Sequence, residues 1–158
     1  MESLWLNDRE MAAWRSYVET NGDLSAALER DLAEHGLTLG DYQVLVYLSE
    51  AEDDSMRMCD LADALQLSPS GLTRRLDGLV GTEHVTRRPS SLDGRVMMAV
   101  LTDAGRELLT RTAPHHVRSV RRHIFDHLTE EQVDAMASIF EAIAAGLATT
   151  GTSTSDVA

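Results

Sequence analysis

Apolar residues recur at helical spacing along most of the chain. Met11, Trp14, Val18, Leu24, Leu28 and Leu32 form a stripe that predicts a helix over 8–35, with a break near Asn21-Gly22. Thr38-Leu39-Gly40-Asp41 is a variant capping box, opening a second helix with Tyr42, Leu45 and Leu48 inside. The acidic run Glu50-Ala51-Glu52-Asp53-Asp54-Ser55 predicts a loop. A short helix over 57–65 follows, and Gln66-Leu67 turns the chain into the next. Val85–Leu101 reads as strand, turn, strand around Asp93-Gly94. Thr102 caps a fifth helix that Pro114 should kink or interrupt. Thr129-Glu130-Glu131-Gln132 boxes a sixth, whose stripe is Val133, Met136, Phe140, Ile143 and Leu147. Residues 149–158 are rich in Ser and Thr and read as a disordered tail. No internal repeat or linker divides residues 1–158, which predicts a single domain.

The stretch Ser68 to Val80 carries the clearest two-faced pattern. Ser68 suits an N-cap and Pro69 the first helical position. At about 100° per residue, Leu76 and Leu79 fall within about 40° of Leu72. Ser70, Arg74 and Asp77 then lie opposite, with Thr73 and Arg75 on the flanks. Such a helix packs one face inward and offers hydroxyls and guanidinium forks outward, as a major-groove reader must. Behind it, Arg87, Arg88 and Arg95 stud the hairpin. A helix-turn-helix followed by an arginine-bearing hairpin is a winged helix, whose wing can reach a narrow, electronegative minor groove.

At these residues the chain resembles the multiple-antibiotic-resistance regulator (MarR) family. The resemblance is carried by Leu61-Ala62-Asp63-Ala64-Leu65, Ser68 to Val80, Arg87-Arg88-Pro89, Asp93-Gly94-Arg95 and Leu101-Thr102-Asp103-Ala104-Gly105-Arg106. It implies a mainly α fold of six helices with a winged helix-turn-helix and a two-stranded β wing. The winged lobe is expected over 57–102, with dimerisation helices over 8–50 and 103–147. It further implies a homodimeric transcriptional regulator on a near-palindromic double-stranded operator. A repressor released by a small phenolic or aromatic effector is the form expected here. The alternative is an architectural or protein-binding winged helix without ligand response.

Expected DNA contacts are Ser68, Ser70, Thr73, Arg74, Arg75, Arg87, Arg88, Asp93 and Arg95. Arg74 is best placed for a guanine edge and Arg75 for phosphate. Arg87 and Arg88 alternate across their strand, so one faces DNA while the other braces the wing. In the family the aspartate and arginine matching Asp93 and Arg95 brace one another, and the arginine enters the minor groove.

A net charge of −12 seems hostile to nucleic acid until the chain is divided. Residues 1–56 carry 3 Arg and 13 acids, whereas 57–106 carry 7 Arg and 6 acids. The basic surplus therefore sits in the winged segment, and local patches govern phosphate contact. All 14 basic residues of the Lys and Arg class are arginine. No apolar run approaches the roughly 18 residues of a membrane span. With a single cysteine and no signal peptide, a cytoplasmic protein without membrane association is expected.

No Gly-x-Ser-x-Gly, phosphate loop or zinc constellation appears, which argues against an enzyme, and no cofactor or metal is expected. His123 and His127 have i, i+4 spacing but no third ligand. Cys59 lies beside core positions and reads as a small buried hydrophobe. Trp14, Tyr17, Tyr42, His115 and His116 are candidate lining for the family's ligand cleft. Urate-responsive relatives pair a first-helix tryptophan with an aspartate on the second helix, and here that position is Gln43.

Overall fold

Leucines from widely separated segments build the core: Leu32, Leu45, Leu48, Leu61, Leu72 and Leu76 are all buried, joined by Val44, Val85 and Ala99. The structure is a computed structural model and describes residues 4–151. Its helices are α1 (Asp8–Ala33), α2 (Leu39–Glu50), α3 (Met58–Ala64), α4 (Pro69–Gly81), α5 (Asp103–His123) and α6 (Glu130–Gly151). Strands β1 (Ser55–Arg57), β2 (Val85–Pro89) and β3 (Met97–Leu101) form one antiparallel sheet in the order β1-β3-β2. The chain divides into two compact units between Ser119 and Val120.

In the first unit, local signals set the helix starts. Asn7 caps α1 in a full box with Glu10, and Thr38 caps α2 in a box with Asp41. The Ser68 hydroxyl accepts from the Gly71 N–H at the start of α4. Burial follows the wheel, with Leu72, Leu76 and Leu79 inside. Gln66, at φ 53°, makes the tight turn between α3 and α4. Register pairs Arg87 with Ala99 and Arg88 with Met98 across β2 and β3.

The Leu-Thr-Asp-Ala-Gly-Arg run has a definite job. The Thr102 hydroxyl donates toward the Glu83 and His84 carbonyls and accepts from the Gly105 N–H. A methyl on Gly105 would overlap the His84 carbonyl, so only glycine lets α5 start this close to the wing's base.

Four expectations are corrected. First, α1 runs unbroken through Asn21-Gly22, because one helical glycine costs only about 1 kcal/mol relative to alanine and 26 residues share it. Second, α5 continues through Pro114, whose loss of one ladder bond does not end the helix. Third, the run read as loop through Ser55 ends in a strand, β1, which adds to the two-stranded wing. The end of the acidic loop pairs with β3, Ser55 opposite Val100 and Arg57 opposite Met98. Fourth, Cys59 is exposed on the outer side of α3, its thiol 3.4 Å from a carboxylate oxygen of Asp60.

In the second unit, α6 opens on the expected box, with reciprocal bonds between Thr129 and Gln132. His123 ends α5, whereas His127 sits in the 3-10 turn Phe125–His127, so the two do not share a helical face. Helix α6 extends to Gly151, which makes 149–151 helical. The remainder of the expected tail, 152–158, lies outside the described residues.

Candidate nucleic-acid interface

Helix α4 presents its polar face between two fastened arginines. On the wing side, Arg87 Nη2 donates to the Thr73 carbonyl and to Asp77 Oδ1, both at 2.9 Å. Its side chain is 26% exposed, so the pair is partly shielded, and Asp77 remains 60% exposed. Arg87 is therefore the arginine that ties β2 to α4. Arg88, its alternate on the strand, is exposed.

On the opposite side, Arg75 Nη1 donates to the Thr38 hydroxyl at 3.2 Å. The Arg75 side chain is half-buried, lying over the first turn of α2. It is thus bonded to another helix rather than extended into solvent. Arg74 lies between these two anchored arginines. It is exposed and makes no hydrogen bond or ion pair among the described residues.

The hydroxyls are more constrained than a helical wheel reveals. Thr73 donates to the Pro69 carbonyl of its own helix, and the Ser70 and Ser68 hydroxyls lie 3.3 Å apart. Ser68 is principally the cap. At the wing tip, the Asp93 carboxylate accepts from the main-chain N–H of Arg95, and the Asp93 carbonyl accepts from Val96. The tip is closed by Ser90 N–H donating to the Val96 carbonyl. Asp93 therefore braces the backbone of Arg95 rather than its guanidinium, which is left exposed at the tip.

The candidate cleft residues do not form one group. Trp14 and Tyr17 stack on the exposed side of α1, with ring centroids 5.8 Å apart. Tyr42 is buried and lies against His116, with centroids at 4.3 Å. His115 lies against His35 at 4.5 Å and accepts from Arg118. Burial raises the Tyr42 phenol above its ordinary pKa and lowers the His116 imidazole below its own. His116 Nδ1 is buried without a hydrogen-bond partner. Among the described residues, no group of three or more His, Cys, Asp or Glu is arranged to hold a metal ion. No helix among them is long and apolar enough to cross a membrane.

Thr38, Gly40 and Glu29 escape the sequence reading as parts of this surface. The Glu29 carboxylate accepts from the Leu39 N–H at 2.7 Å, fastening the start of α2 to α1. The one available signal is Gly40, a glycine inside a helix where alanine would serve better.

Six helices, a helix-turn-helix whose second helix shows an open polar face, and a β hairpin wing define a winged helix-turn-helix protein. The comparisons agree. A MarR family model matches residues 35–96. The chain is similar to AbsC, a MarR family transcriptional regulator from Streptomyces coelicolor, with 43% identity and a TM-score of 0.86, covering 92% of this chain and 98% of that one. It is also similar to Sco3205, a MarR family transcriptional regulator from the same organism solved in complex with DNA. There the identity is 37% and the TM-score 0.87, covering 92% of each chain. The HTH-type transcriptional repressor YetL of Bacillus subtilis is 26% identical over 129 residues, 80% of this chain and 77% of that protein. The chain belongs to the MarR family.

Proposed function

We propose that the protein is a homodimeric, sequence-specific DNA-binding transcriptional regulator, with α4 in the major groove and the β2–β3 wing beside the minor groove. The observation that carries this reading is Arg74, exposed and, among the described residues, unpaired on the outward face of a helix anchored at both flanks. An unengaged guanidinium there is available to fork onto a guanine edge. Arg88 and Arg95, also exposed, supply charge for the backbone and the minor groove. The complex of Sco3205 with DNA supports the same assignment.

Dimerisation is proposed through 8–50 and 103–147, with 57–102 as the reading lobe. Support comes from the apolar residues left outside: Trp14, Tyr17 and Val18 on α1, and Ile139, Phe140 and Ile143 on α6. Two α4 helices about 34 Å apart would match one turn of DNA. Repression relieved by a small aromatic effector is the regulatory form proposed, and YetL, a repressor by name, supports the sign. An effector that binds only a form with mismatched helix spacing would lower operator affinity by differential binding.

The test is selection of bound sequences from random duplexes, followed by footprinting of the protein's own promoter. A near-palindromic protected site is expected. Protection without sequence preference would favour an architectural module. As a second arm, Arg74→Ala should cost about 1–3 kcal/mol on the selected duplex and relax preference at one position per half-site.

A further inference from the structure

We infer that Arg75 is a positioning residue: it locks the rotation of α4 against the first turn of α2, and Gly40 exists to leave its guanidinium a seat. This rests on the proposed DNA-binding reading and assigns Arg75 a part in it other than phosphate contact. Three observations converge. Arg75 donates to Thr38 across 37 positions of sequence, so the bond joins two helices rather than neighbours on one. A methyl added at Gly40 would overlap the Arg75 guanidinium, which shows how closely the side chain lies on the α2 backbone. Gly40 lies in the first turn of α2, where alanine is the stronger helix former.

The seat is itself held in place. Glu29 of α1 accepts from the Leu39 N–H, and the Thr38 N–H and Asp41 carboxylate close the capping box on either side. The Asp41 carboxylate also keeps negative charge in a turn where the helix dipole and a guanidinium are both positive. On the far flank of α4, Arg87 holds the Thr73 carbonyl and Asp77. Helix α4 is thus fastened by one arginine of its own and one from the wing. Arg74, between them, is presented at an angle that the two braces together fix. Guanidinium recognition of a base edge is directional, so loss of either brace should weaken recognition without removing a DNA-facing charge.

The experiment compares Arg75→Ala, Gly40→Ala and the double variant on the duplex recovered from random pools by the wild type, over a salt series. Gly40→Ala removes no polar group and favours the helix, yet evicts Arg75 from its seat. Each single variant is expected to bind about three- to tenfold more weakly, the cost of one orienting hydrogen bond. The double should be no weaker than either single, and the salt slope should equal that of the wild type. A slope shallower by about 0.9 for Arg75→Ala would make Arg75 a phosphate contact and overturn the inference. So would wild-type or tighter binding by Gly40→Ala, or additive losses in the double. If the wild type recovers no duplex, the functional reading fails separately. The brace is then judged on DNA-free protein, where Arg75→Ala must shift the amide resonances of Thr38 to Asp41. Unchanged resonances there overturn it.

Discussion

The helix-turn-helix lobe and helix α6 use apolar residues in opposite ways. Within the lobe, Leu61, Leu72, Leu76 and Val85 are buried against one another and against α2. On α6 no described side chain is buried, and Ile139, Phe140, Ile143 and Leu147 stand 57%, 47%, 52% and 69% exposed. Both segments have a helical stripe of the same period, but among the described residues only the lobe's stripe is buried. The lobe is therefore stabilised by buried apolar contacts, whereas the α6 stripe stays exposed, and the proposed dimerisation would bury it.

That contrast is most strongly tested by emptying the lobe. Leu76→Ala removes a fully buried side chain and should cost about 2–5 kcal/mol. Chemical denaturation of the variant should show this loss at an unchanged m-value. A loss below about 1 kcal/mol would mean the lobe does not depend on its own core.

The second test strikes the other stripe. Phe140→Asp combined with Ile143→Asp should weaken self-association by about a hundredfold, since two apolar anchors are replaced by charges. Sedimentation over a concentration series should find a dimer for the wild type at micromolar concentration and a monomer for the variant. Equal masses for the two would leave the α6 stripe without a role in assembly.

How far the sequence revealed each region follows from the range of the interactions involved. Caps at Thr38, Ser68 and Thr129 were legible because a cap involves residues within one turn of each other. The wheel of α4 was legible for the same reason. Strand β1 was not, because three residues carry no period and its pairing partner lies about 45 positions away. The different bonding of Arg87 and Arg88 is not legible in strand alternation, because the partner of Arg87, Asp77, lies ten positions away on α4. The bond from Arg75 to Thr38 was not legible either, because a wheel shows only the flank position of Arg75 and not the hydroxyl 37 positions away. The exposure of Cys59 is not legible, because burial of a single position on a helix of seven residues cannot be read from spacing alone.

A smaller effect is expected at the wing tip, where the lobe presents charge rather than core. Arg95→Ala should weaken binding to the selected duplex about tenfold, or about 1.4 kcal/mol, with little change in Tm. The Asp93 carboxylate bonds to the Arg95 main chain, so the turn survives the loss of the side chain. Equal affinity for variant and wild type would make Arg95 an ordinary surface residue.

The smallest predicted effect concerns pH, and asks whether the lobe's side of α5 has a weak point. His116 lies against buried Tyr42, and its Nδ1 is enclosed without an acceptor. Burial lowers its pKa, so the folded protein binds a proton there less readily than the unfolded chain does. A group with a depressed folded pKa of this kind, in a base that is charged when protonated, stabilises the fold above its unfolded value of about 6.5. That contribution fades as pH falls below this value, because the unfolded chain then takes up the proton first. Tm should therefore fall between about pH 7 and pH 5, and His116→Phe, which keeps a ring against Tyr42 but cannot titrate, should fall less steeply. Parallel Tm-against-pH curves for the two proteins would assign the acid sensitivity to other groups.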